Sequence, residues 1–259
     1  MARDYAPGAR QASVAPAGGL DERARPPPAR VRPVSASEPF SPVEAEKRAA
    51  AEAAALLVPD GARVGLGTGS TVAYLLPALA ARGLDITCVA TSVATEQAAA
   101  DLGLRVVAFD ALDRLEIAID GADQIDPATW IVKGGGGAHT REKIVAAAAD
   151  RFVVIASSEK VVDALRPPVP LELLAYGLPA TLRALAPVDR RACPPSPDGG
   201  VIADYQGPVD DPAGLADRLA GTPGVVDHGL FPPSLVTDVI VGSTGEDRKT
   251  VVKHTVRSD

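Results

Sequence analysis

The chain has 259 residues, a formal charge of −7, and is 46% hydrophobic and 23% charged, which allows one large or two small domains with a sizeable core. No run approaches the roughly 18 apolar residues of a membrane span, the first thirty residues lack the charged-then-apolar order of a signal peptide, and the acidic balance disfavours nucleic acid, whose phosphates call for a basic patch. Cys88 and Cys193 form no C-x-x-C pair and read as reduced cytoplasmic thiols, while His139, His228 and His254 are not at ligand spacing, which argues against zinc and leaves a carboxylate-held hard cation open.

Residues 1–40 hold seven prolines and six arginines with almost no apolar periodicity. Such a stretch cannot bury enough surface to offset ordering entropy, so it is expected to be a disordered tail outside the fold. Asp4, Asp21 and Glu22 count against a transit peptide, and a start codon assigned too far upstream is an equal alternative.

The fold is expected to begin at Phe40-Ser41-Pro42-Val43-Glu44. Serine as N-cap, proline at the first helical position and glutamate beyond it make a capping box. An alanine-rich helix carrying Lys47 then runs to about Leu57, where Pro59-Asp60-Gly61 stops it. Arg63 to Leu66 reads as a strand, Gly67-Thr68-Gly69-Ser70-Thr71 as a Gly-rich turn, and Val72 to Leu76 as the start of a helix. That order aims a helix N-terminus and the Ser70 and Thr71 hydroxyls at an anion. Two nucleotide motifs fail here. The dinucleotide fingerprint has Ser70 at its last glycine, and no Gly-Lys pair completes a P-loop.

The alternation continues with strands at Asp85 to Thr91, Arg105 to Ala108, Leu115 to Ile119 and Arg151 to Ala156, and a helix from Ser92 to Leu102. Helices between short apolar runs predict an α/β fold with a mostly parallel, Rossmann-like sheet, whose ligands bind beyond the C-terminal strand ends. At one such end stands Asp120-Gly121-Ala122-Asp123. Two carboxylates facing one small volume push one pKa upward, which suits a general acid or base. The competing reading is an Asx-turn that ends a strand.

The apolar pair Ile131-Val132 leads into Lys133-Gly134-Gly135-Gly136-Gly137-Ala138-His139-Thr140-Arg141-Glu142. A cation, bare backbone N–H groups and a carboxylate at a helix start would suit a sugar phosphate, against the plainer alternative of a flexible loop and a solvated helix face. Lys160 follows the next strand, a position where a surface lysine is the commoner explanation. From Leu165 prolines and glycines interrupt the pattern. Helices near Pro179 to Leu185 and Asp211 to Ala220, with strands at Val201 to Tyr205 and Val225 to His228, predict a small α+β subdomain inserted near the C-terminus. The division is 41–164 with 234–259 for the α/β part and 165–233 for the insert.

Taken together and in order, Gly67 to Thr71, Asp120 to Asp123 and Lys133 to Ile144 resemble ribose-5-phosphate isomerase, type A, as does the later Pro223-Gly224-Val225-Val226-Asp227-His228-Gly229-Leu230-Phe231. The resemblance implies a cofactor-free and metal-free aldose–ketose isomerase that interconverts the small-molecule sugar phosphates ribose 5-phosphate and ribulose 5-phosphate, forming dimers or tetramers. By resemblance, Glu142 is the base that moves a proton between C1 and C2, Asp120 an acid/base group with Asp123 beside it, and Lys133 with the Gly134, Gly135 and Gly136 amides the support for the enediolate oxygen. Thr68, Gly69, Ser70, Thr71, Lys47, Lys160, Gly121 and Ala122 match positions that contact substrate. Gln124 stands where the family usually has glutamate, removing one charge near the site, and His139 where an apolar residue is common; His139 is expected to be a surface or cap histidine rather than a proton-handling one. The segment Pro187 to Gly200 is short and proline-loaded for the family. A divergent isomerase of another phosphorylated aldose, or a non-catalytic sugar-phosphate sensor, are the alternatives.

Overall fold

The computed structural model describes residues 41–245 and 250–256, so the expected tail at 1–40 lies outside the described residues. Ser41 caps helix α1 (Pro42–Ala55), with its side chain and that of Glu44 bonding reciprocally to each other's backbone. The chain then gives β1 (Arg63–Leu66), α2 (Val72–Ala80), β2 (Thr87–Ala90), α3 (Val93–Asp101), β3 (Arg105–Val106) and β4 (Ile117–Gly121). Short strands β5 (Gln124–Ile125) and β6 (Ile131–Val132) precede α4 (His139–Ala147) and β7 (Phe152–Ser157). After these come β8 (Val169–Leu173), α5 (Leu178–Leu185), β9 (Val188–Arg190), β10 (Val201–Tyr205), α6 (Pro212–Ala220), β11 (Val225–His228), β12 (Leu230–Phe231), β13 (Asp238–Thr244) and β14 (Thr250–Val256).

The main sheet has seven strands in the order β14-β13-β7-β4-β1-β2-β3, all parallel except the antiparallel edge strand β14. From β1 the chain winds one way through β2 and β3, then returns to β4 and winds the other way through β7 to β13. The reversal leaves a crevice between β1 and β4, the place where open α/β sheets bind ligands. β7 is buried along its whole length, as a strand covered on both faces must be. One face packs on α1 and α2, the other on α4. The close seat of α1 on β13 depends on small residues. Ala50 and Ala54 are buried on its inner face, and a Cβ at Gly242 would stand 2.1 Å from the Glu46 carbonyl oxygen.

A second, antiparallel sheet runs β11-β8-β10-β9 and packs on α5 and α6. Strand β8 is an inner strand with all five residues buried, although the prolines at 167, 168 and 170 hide it in the sequence. The third sheet, β12-β6-β5, is a short antiparallel ribbon. It holds Lys133 in place directly after β6, with the Lys133 N–H on the Gly229 carbonyl at 2.8 Å. No helix among the described residues is long and apolar enough to cross a membrane.

Asp238 ties the right-hand edge of the main sheet together. Arg151 forks onto it with two bonds of 2.7 Å, His254 on β14 lies 2.7 Å away, and the Thr237 hydroxyl donates at 2.9 Å. Burial would raise its pKa, yet these partners hold it down to about 2. The Asp238 side chain is only 1% exposed. A depressed carboxylate adds stability above its unfolded pKa and loses it as pH falls through the folded one. Asp238→Asn is therefore expected to cost about 2 kcal/mol at neutral pH, and the gap to wild type in urea unfolding should close as pH falls from the ordinary carboxylate range towards about 2.

Candidate active site

The C-terminal ends of three adjacent parallel strands build the cleft. The turn after β1 contributes Thr68 to Thr71, the end of β4 gives Gly121 to Asp123, and the 3-10 turn after β7 gives Lys160. The link between β6 and α4 closes the fourth side with Lys133, Gly134, Gly135, Gly136 and Glu142. The cleft spans about 580 Å³, part of it open to solvent. Asp120 lies beneath this cleft, and Lys47, half-buried on α1, does not line it.

Lys133 is the hub. Its ammonium lies 3.0 Å from Asp120 Oδ2 and 3.3 Å from Glu142 Oε2, and donates to the Gly121 carbonyl at 2.6 Å. All three side chains are nearly inaccessible to solvent. Asp120 Oδ1 accepts from the Thr68 and Gly121 N–H groups at 3.1 and 2.7 Å. A Cβ at Gly67 would stand 1.9 Å from Asp120 Cγ, so only glycine leaves room for that carboxylate. Asp120 Oδ2 and Glu142 Oε2 have no aligned hydrogen-bond donor among the described residues; they face the ammonium as ion-pair partners.

Electrostatics follow from this packing. Burial raises the Glu142 pKa, the neighbouring Asp120 charge adds to the rise, and Lys133 opposes both, leaving it at about 8. The N-terminal end of α4 would lower a carboxylate, so desolvation wins here. Asp120 is also raised by burial, against Lys133 and its two backbone donors. For Lys133, burial pulls downward, but Asp120 and Glu142 outweigh it and raise the pKa.

Around this core the loops are fixed by specific bonds. Asp123 Oδ2 accepts the Gly135 N–H at 2.8 Å. The Thr68 hydroxyl sits 2.8 Å from that of Thr91, and the Thr95 hydroxyl donates to the Gly67 carbonyl at 3.0 Å. Ser70 is exposed at the mouth, whereas Thr71 is buried as the N-cap of α2 without a side-chain capping bond.

Two expectations are corrected. His139 is no surface histidine: its ring is fully buried as the first residue of α4. A Cβ at Gly134, whose φ is +103°, would lie 2.6 Å from its Nδ1, so the glycine leaves space for the ring. Neither ring nitrogen makes a well-aligned bond, although the Asp227 backbone lies near, and burial with the nearby Lys143 charge lowers its pKa to about 3. Gln124 does not replace a charge in the cleft. Its amide donates to the Arg166 carbonyl and accepts from the Arg166 N–H, both at 2.8 Å. A glutamate could accept there but not donate, and neither Gln124 nor His139 lines the cleft.

Two residues of this neighbourhood escaped the sequence. Glu46 bonds the Ser158 N–H and hydroxyl at 2.9 and 2.8 Å and the Thr244 N–H at 2.8 Å, anchoring the turn that carries Lys160. Its signal was available, since a glutamate four and eight residues before Ala50 and Ala54 sits on a buried stripe. Arg191, from the proline-loaded segment, reaches the Gly134 and Gly135 carbonyls. No local pattern announces it.

Among the described residues no group of three or more histidine, cysteine, aspartate or glutamate side chains is arranged to hold a metal ion. What fold and cleft define is an α/β protein with a Gly-rich turn before a helix N-terminus at the switch point and, beside it, two buried carboxylates braced by one lysine, equipment suited to proton transfer on a small molecule. The profile of the ribose 5-phosphate isomerase A (phosphoriboisomerase A) family matches residues 87–246. Ribose-5-phosphate isomerase A of Rhodopseudomonas palustris (strain HaA2) is 41% identical over 223 residues, covering 77% of this chain and 94% of the relative. That of Methanosarcina acetivorans is 44% identical over 224 residues, covering 81% and 95%. The crystal structure of ribose 5 phosphate isomerase A from Neisseria gonorrhoeae superposes with a TM-score of 0.76 at 33% identity, covering 82% of this chain and 96% of that one. A D-ribose-5-phosphate isomerase in complex with phospho-erythronic acid gives 0.77 at 33%, covering 83% and 99%. The chain belongs to the ribose 5-phosphate isomerase A family.

Proposed function

We propose that the protein interconverts D-ribose 5-phosphate and D-ribulose 5-phosphate, with Glu142 shuttling a proton between C1 and C2 of the open-chain sugar through an enediolate. The observation that carries the reading is the Glu142 carboxylate in the cleft wall, its pKa raised to about 8 beside the Lys133 ammonium at 3.3 Å. A base poised near the working pH both exists in its ionised form and releases the proton again at the neighbouring carbon. Lys133 would stabilise the developing oxyanion with fixed positive charge, and the exposed Gly136 backbone N–H adds a donor at the same wall, the Gly135 N–H being held on Asp123. Asp120 is the acid/base group for the hydroxyl protons and ring opening. The phosphate end belongs at Gly69 to Thr71 and Lys160, where a helix N-terminus and an ammonium meet. A dimer or tetramer, a cytoplasmic location and a subdomain at 165–233 complete the reading, supported by the family membership.

The test is ketose formation from ribose 5-phosphate by the full chain with EDTA present, followed against pH. Only ionised Glu142 can accept the proton, so kcat/KM should climb with pH through about 8. Lys133, raised above its ordinary range, stays charged throughout. A profile flat from about pH 6 to about pH 9 would remove Glu142 as the titrating base, and no ketose at any pH would sink the assignment.

A further inference from the structure

We propose that Arg191 is a positioning residue of this site, holding two peptide groups of the glycine loop so that their N–H bonds face the cleft. The guanidinium is used on three sides. Nε and Nη2 grip the Asp204 carboxylate at 2.6 Å each, while Nη1 donates to the Gly134 carbonyl at 2.9 Å and the Gly135 carbonyl at 3.0 Å. In a planar trans peptide, C=O and N–H point in opposite directions. A carbonyl drawn towards Arg191 therefore turns the N–H of the next residue away from it. The Gly134 carbonyl shares its peptide with the Gly135 N–H, which is found on Asp123 Oδ2 at 2.8 Å, on the cleft side. By the same geometry the Gly135 carbonyl directs the Gly136 N–H towards the cleft that Gly136 lines.

Glycine gives this brace its value, although a turn bond from the Gly137 N–H to the Gly134 carbonyl at 2.9 Å shares the task. Without Cβ, residues 134 to 137 can rotate their peptide planes at little steric cost, and Gly134 and Gly137 already sit at φ of +103° and +74°. A flipped peptide would turn a carbonyl oxygen towards a phosphorylated, anionic intermediate, replacing attraction by repulsion. Asp204 on β10 fixes the guanidinium plane, and the Arg191 N–H is itself held on the Ile202 carbonyl at 3.0 Å. The four-stranded sheet thus supports the catalytic loop from outside the α/β layer. Lysine offers one point charge and cannot span a carboxylate and two carbonyls at once.

The inference rests on the isomerase reading, and the test separates the two. kcat and KM for ribose 5-phosphate are measured for wild type, Arg191→Ala and Arg191→Lys, with thermal unfolding alongside and with millimolar guanidinium added to the alanine variant. Affinity for phospho-erythronic acid is measured by calorimetry on the same proteins. We expect kcat to fall on the order of 100-fold, with a smaller change in KM, partial recovery by guanidinium, and weaker analogue binding. Should the alanine variant fail to fold, the lysine variant is expected to fold and to lose kcat all the same. A folded lysine variant with wild-type kcat and analogue affinity, or a folded alanine variant whose loss guanidinium does not relieve, overturns the positioning role. A wild type inactive on ribose 5-phosphate sinks the functional reading instead, and the analogue affinities then decide the role of Arg191.

Discussion

Glu142→Gln is expected to leave a folded protein that still binds ribose 5-phosphate and isomerises it ~10²–10⁴-fold more slowly, the range that a positioned general base contributes. Glutamine keeps the shape of the side chain and can still place an oxygen near Lys133, so KM should move little. What goes is the ability to take a proton from carbon. Stability gives a second signature. The folded-state pKa of Glu142 lies above its ordinary value, so the protonated form is the one the fold prefers, and the contribution present at low pH is lost as pH rises through about 8. A neutral amide escapes that loss and the repulsion from Asp120. The variant should therefore be at least as stable as wild type at alkaline pH, while turnover collapses. Stopped-time ketose assays with urea unfolding above pH 8 check both. Turnover within about tenfold of wild type would assign the proton transfer to another group.

That divergence between activity and stability marks a site where local rules are set aside, and it also shows what a sequence can carry. The elements that were legible are those specified by neighbours in the chain. Ser41 and Glu44 define the start of α1, Ser92 caps α3, Asp211 caps α6, and the apolar run Phe152 to Ala156 is a buried parallel strand. The cleft was legible for the same reason, because its loops follow strand ends in an α/β order and the reversal between β1 and β4 brings them together.

What escaped depends on partners far along the chain. β8 is a strand because β10 and β11 pair with it, and no pattern within Val169 to Leu173 outweighs the prolines around it. Edge strand β14, exposed along most of its length, has no buried face to give an alternating pattern and is specified by pairing with β13. His139 is buried because a glycine 5 residues earlier leaves room for its ring, a relation that exists only once the loop has folded back. Arg191 reaches the glycine loop across 56 and 57 residues of chain. Gln124 reads as the loss of a charge until its twofold bond to the Arg166 backbone shows what the amide does there.

Lys133→Met should be the most damaging single change to stability, and it should slow the reaction as well. The ammonium is the positive group within 3.3 Å of both Asp120 and Glu142, and all three are nearly fully buried. Methionine fills much of the same volume, so the loss is electrostatic rather than a cavity. Removing one partner from a buried ionic group costs about 3–5 kcal/mol when the remaining charge cannot be relieved. Here it can be relieved by protonation, and this fixes the sign of the pH dependence. Both carboxylates already have raised pKa values because of burial, and losing Lys133 removes an opposing interaction in each case. They move further up, so near pH 5 the variant carries neutral carboxyls and is expected to lie close to wild type. As pH rises towards about 9 the buried site must accept charge without a counter-ion, and the stability gap should widen. Turnover should fall by ~10²–10³-fold or more, since the fixed charge facing the enediolate oxygen is gone and the base is neutral at working pH. Urea unfolding at the two pH extremes, with kcat on the same samples, tests the pair of effects. A stability gap that does not change with pH would mean that Lys133 acts by packing alone.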